Sequence, residues 1–107
     1  MIVVTTETIA GKKITKSIGL VRGNTIRARH IGKDIMAGLR SIVGGEIEEY
    51  SKLIAEAREQ SLDRMCAEAT RLGANAVVAT RFSTSVMMGG AAELLAVGTA
   101  VLVEDDD

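Results

Sequence analysis

The sequence predicts an α+β fold, an antiparallel β-sheet packed on one long and one shorter α-helix. Three observations carry this. Apolar residues recur at helical spacing over residues 31–43 and again, for longer, over residues 46–72. β-branched and alternating runs occupy both flanks of that helical centre. The chain has 107 residues and 47% apolar content, which suits a single domain spanning residues 1–107 with a modest core.

The elements follow in order. Residues 2–6 read as a short β-branched strand, and residues 7–13 as a polar connection containing Gly11. Ile14, Ile18 and Leu20 mark a second strand, with Gly23-Asn24 as a turn or bulge and residues 25–29 as its continuation. Ile31, Ile35, Leu39 and Ile42 define the shorter helix, which Gly44-Gly45 is expected to end. The long helix runs over 46–72, with Glu46, Glu48 and Glu49 in its first turn, where the helix dipole favours negative charge. Ile47, Tyr50, Ile54, Ala57, Met65, Ala69 and Leu72 form its apolar face, and Gly73 closes it.

The last third reads as a hairpin. In residues 76–88 the even positions, among them Ala76, Val78, Phe82, Val86 and Met88, are mostly apolar, which predicts one buried face. Gly89-Gly90 makes the connection. The returning strand over 94–103 is apolar or small on both faces, so both faces are expected to be covered. One long helix covers one face, and a neighbouring subunit is the simplest cover for the other. The tail over 104–107 is expected to fray.

Composition narrows the function. There is one Phe, one Tyr and no Trp, so aliphatic side chains must build the core, and a subunit interface would add burial. No apolar run reaches the ~18 residues of a membrane span, and the start of the chain lacks the pattern of a signal peptide. One cysteine cannot form an internal disulfide, which fits a reducing, cytoplasmic setting. Charge is uneven: Lys12, Lys13, Lys16, Arg22, Arg27, Arg29, Lys33 and Arg40 face only Asp34 within residues 11–40, whereas the tail is acidic. Such separation can drive head-to-tail subunit contact or anion binding, or simply be solvated. The basic segment has no aromatic platform, which argues against nucleic acid.

Candidate chemistry is sparse. The metal donors are His30 and Cys66, with Met65, Met87 and Met88 as soft sulfur ligands, but there is no CxxC and no second histidine. Cys66 borders the apolar helical stripe, where a free cysteine usually acts as a small hydrophobe. His30 stands beside Arg29, where a capping or surface role fits better than ligation. The serines lack a nucleophile elbow, and neither a P-loop nor GxGxxG is present. Arg58 and Glu68 sit near the apolar stripe of the long helix. They either line its edge or pair across a subunit boundary, and with His30 they are the candidate ligand-binding residues.

Several stretches occur together in a familiar order: Gly19-Leu20-Val21-Arg22-Gly23, Gly44-Gly45-Glu46 with Tyr50, Glu56-Ala57-Arg58, Arg64-Met65, Leu72-Gly73-Ala74-Asn75-Ala76-Val77-Val78 and Gly98-Thr99-Ala100-Val101. Over nearly the whole chain this resembles the YbjQ-like family, whose label is heavy-metal binding. The resemblance implies a dodecin-like subunit assembled as a ring-shaped homopentamer, with a metal ion as the implied ligand. It supplies no ligand set and no catalytic residue. The expectation is therefore a non-enzymatic homo-oligomeric ring binding a small ligand or heavy-metal ion at subunit interfaces. The alternatives are a structural or protein-interaction module, or an unrecognised enzyme with an inter-subunit site.

Overall fold

A computed structural model describes residues 1–27, 44–86 and 92–107. Its elements are β1 (Ile2–Val3), β2 (Lys12–Arg27), α1 (Gly44–Arg71), β3 (Ala76–Val86) and β4 (Ala92–Asp105). The four strands form one sheet in the order β1-β3-β4-β2. β4 runs antiparallel to both neighbours, whereas β1 pairs with β3 in parallel. The sheet is therefore mixed rather than purely antiparallel. β2 and β3 flank β4 and share a direction, so β2-α1-β3 is a split β-α-β unit with β4 inserted between its strands.

The long helix forms as its apolar stripe requires, but it begins at Gly44, so Gly44-Gly45 opens this helix. The shorter helix over 31–43, His30 and the Met87–Gly90 connection lie outside the described residues. At the C-terminus Gly73 has φ +90°, the left-handed region that glycine adopts without strain. The Gly73 amide donates to the Thr70 carbonyl and the Ala74 amide to the Ala69 carbonyl, both at 3.0 Å, which together make a Schellman cap.

The inner face of the sheet meets α1 through Val21, Met65, Ala69, Ala74, Val77, Ala96 and Ala100, all buried. Small residues allow close approach. A methyl on Gly23 would collide with the Ser61 carbonyl and Met65 amide nitrogen and lie 2.8 Å from Arg64 Cβ. Gly23 thus marks where the helix rests on β2, and the bulges fall elsewhere, between Ile14 and Lys16 and between Ser17 and Gly19. Ser61 is buried on the same face. Its hydroxyl exchanges a hydrogen bond with Thr25 Oγ1 at 3.0 Å and lies 2.9 Å from the Ala57 and Leu94 carbonyls. Leu72 is exposed rather than part of the face, because the helix ends at Arg71.

The expected alternation in β3 breaks at a bulge. Val78 pairs with Thr99 but Arg81 pairs with Val97, so Ala79 and Thr80 oppose Gly98 alone. One extra residue reverses the side-chain parity. Ala76 and Val78 consequently join the outer cluster, while Phe82 shares the inner face with Ala96 and is 43% exposed. Ala79 takes φ 54° at the position where such a bulge usually has glycine. The bulge amides are satisfied by the N-terminal segment: Ala79 donates to the Thr6 carbonyl at 2.8 Å and Thr80 to Val4 at 3.0 Å.

That segment also corrects the cover expected for β4. Val4 and Ile9 pack over Ala76, Val78, Val101 and Val103 on the outer face. The chain itself thus covers one end of this face, while Leu95, Val97 and Thr99 stay half-exposed. The tail is not frayed at its start. Glu104 and Asp105 belong to β4, Lys12 Nζ meets Asp105 Oδ1 at 2.5 Å, and the Asp106 amide donates to the Gly11 carbonyl at 3.0 Å.

Candidate functional site

Three residues of β2 at a two-residue period, Leu20, Arg22 and Asn24, share the outer face of the sheet opposite Thr99, Val97 and Leu95. They lie on the outermost strand, beside the flank of α1. Between them and Glu68 of the helix is an open cavity of about 470 Å³. Arg64, Glu68 and Arg71 follow at i, i+4 and i+7, which sets them along one side of the helix.

Each charged group has a defined partner or none. The Arg64 guanidinium donates to the Asn24 carbonyl at 2.5 Å and ties the helix flank to β2. Arg71 donates to both oxygens of Glu68, at 2.6 Å and 3.1 Å. These hydrogen bonds, and secondarily the Arg71 charge, hold the Glu68 carboxyl below the usual carboxylate range. The Asn24 amide donates to Glu93 at 3.1 Å. Arg22 makes no ion pair with any described residue. The cavity is thus lined by one guanidinium, Arg22, and one carboxylate, Glu68, already matched by Arg71, while Arg64 holds the Asn24 backbone beside it.

The residues singled out from sequence separate in space. Glu68 lines the cavity, but its partner is Arg71 rather than Arg58. Arg58 is exposed and lies ten residues earlier on the helix, about 15 Å along its axis. Cys66 is partly buried against the inner core, as a small hydrophobe would be. Burial, then the neighbouring Asp63 charge, pushes its thiol pKa up, so it is a poor thiolate. No group of three or more His, Cys, Asp or Glu side chains with metal-binding geometry occurs among the described residues. Sequence reading missed Arg22, Asn24, Arg64 and Arg71. Their signals, a period of two on a strand and of three to four on a helix, become one site only when β2 and α1 are placed side by side.

The family description "Putative heavy-metal-binding" (YbjQ_1) matches residues 1–104. The chain belongs to this family. A UPF0145 protein of Methanosarcina acetivorans is 61% identical over 96% of the chain and 97% of its own length. One from Dehalococcoides mccartyi is 62% identical over 97% of the chain and all of the relative. One from Clostridioides difficile is 54% identical over the whole chain. A crystal structure from Pediococcus pentosaceus, of a DUF74 family protein with unknown function, superposes with a TM-score of 0.65. It covers 97% of this chain and 98% of its own at 15% identity, and that likeness concerns the fold alone. Among the described residues no helix is long and apolar enough to cross a membrane.

Proposed function

We propose that this family member is a non-enzymatic homo-oligomeric ring, a pentamer by its resemblance, that holds a small ligand where one subunit meets the next. The observation that carries the reading is the sheet's unfinished perimeter. β2 is 16 residues long, about 53 Å, and among the described residues it lies at the sheet edge with only β4 beside it. On the opposite side β1 pairs with Ala76 and Val77 only, so β3 beyond Arg81 has a second unpaired edge among the described residues. Long unpaired edges are templates for association. Two different edges on opposite sides make a head-to-tail contact, which closes into a ring when the rotation permits.

Two further observations support assembly. Leu20 and Ile26, 68% and 54% exposed, extend the half-exposed apolar outer face toward the free edge. The chain's radius of gyration is 17.1 Å, against roughly 13 Å for a compact chain of this length. The family's description favours a heavy metal as ligand, for which His30 and Cys66 would be this chain's donors. Such a site would need donors from more than one subunit, since His30 and Cys66 fall short of the usual ligand count.

Native mass spectrometry of protein purified without a metal-affinity tag tests the reading. A closed oligomer with a reproducible extra mass is the expected result. A bare oligomer would shift the reading to an interaction module, and a monomer would overturn it. Ile26→Asp, which places a charge on the exposed face without entering the core, is expected to lower the assembled mass. Val101 is unsuitable for that purpose, because it is buried within the protomer beneath Val4 and Ile9.

A further inference from the structure

The geometry points to the β2–α1 cavity as a binding site for a small oxyanion, a phosphate or carboxylate group, with Arg22 as its principal ligand. The inference rests on the reading of this chain as a ligand-binding protein and names the ligand's chemistry. It does not require the ring.

The charged groups at the cavity favour an anion over a cation. Arg22 lines the cavity, and Glu68, the one carboxylate among the described lining residues, already takes two hydrogen bonds from Arg71. A metal ion would meet the Arg22 cation and an acid already matched by Arg71, whereas an oxyanion meets a guanidinium free of an ion pair among the described residues. A guanidinium presents paired N–H donors matched to carboxylate or phosphate oxygens. Arg64 is fixed by its bond to the Asn24 carbonyl and keeps further N–H groups, and Arg22 makes no ion pair with any described residue.

The shape agrees with the charge. About 470 Å³ is within the range of small-molecule sites. Leu20 lines one side and offers apolar contact beside the charged groups, so an organic anion fits better than a bare ion. Lys12 pairs with Asp105 inside the chain, while Arg22 is left for a ligand.

The test is calorimetric titration of the full chain at low ionic strength, with inorganic phosphate and, separately, malonate. At least one is expected to bind, and its affinity should fall as salt is added. Arg22→Ala is expected to weaken it by about tenfold or more, as loss of a charge-assisted contact does. Asn24→Asp, which adds a negative charge to the rim, should weaken it too. Glu68→Gln frees Arg71 and should tighten binding. Arg58→Ala, remote on the helix, should leave it unchanged. Circular dichroism and native mass of each variant verify the fold, so a subunit-number result bears on the ring and the titrations bear on the site. Failure of both anions to bind at about 10 mM, a free energy too weak to matter, would overturn the inference. So would equal weakening by Arg22→Ala and Arg58→Ala.

Discussion

Replacing Gly23 with alanine tests how α1 is seated on the sheet. The added methyl would overlap the Ser61 carbonyl and the Met65 backbone nitrogen and lie 2.8 Å from Arg64 Cβ. The first two are helix backbone, which cannot swing aside as a side-chain tip can. Helix and strand must separate, and overpacking of this kind costs about 1–3 kcal/mol. Separation also stretches the hydrogen bonds that link Ser61 to Thr25 and Leu94 across the same contact. Each buried bond contributes about 1 kcal/mol. The expected loss is about 3 kcal/mol, a large share of the 5–15 kcal/mol typical of a domain. With a urea slope near 2 kcal/mol/M, the unfolding midpoint should fall by about 1.5 M. The measurement is urea unfolding followed by far-UV circular dichroism at one fixed protomer concentration, because assembly adds to apparent stability. A midpoint within about 0.3 M of the parent would refute the close helix–strand contact.

Other outcomes follow from single features. Ala79→Gly should raise the thermal midpoint, since relieving a left-handed alanine offsets the entropic cost of glycine by up to about 1 kcal/mol; a drop typical of glycine in a strand would contradict the bulge. Ser61→Ala should cost about 1–2 kcal/mol in the same urea assay, because it leaves the Thr25 hydroxyl buried with one partner fewer. Lys12→Met should raise the Asp105 carboxyl pKa in an NMR titration. The hydrogen bond from Lys12, and then its charge, holds that carboxyl below its ordinary value. A group depressed in the folded state contributes stability above its unfolded pKa of about 3.9, and that contribution is lost as pH falls through the lower folded value. The parent and Lys12→Met should therefore differ near neutrality and converge in acid; a constant difference across that range would contradict the pairing.

Elements whose signals are local were legible without the tertiary structure. The spacing of Ala57, Met65 and Ala69 specified the long helix, because a helix must turn one stripe toward the core. Gly73 specified its end, because its left-handed conformation suits glycine. The last two apolar runs specified the antiparallel pairing of β3 with β4, because adjacent runs joined by a glycine turn form a hairpin. Tertiary structure decided what depends on long-range register. The bulge at Ala79 reversed the faces of β3, so Phe82 left the set it shares in sequence with Val78. The N-terminal segment covered Val101 and Val103, a task the sequence reading gave to a neighbour. The candidate site was illegible for a related reason. Arg22 is more than forty residues from Glu68, and only the seating of α1 at Gly23 places the two around one cavity. Periodicity reports which way a side chain turns from its own element, whereas a site depends on which elements lie side by side.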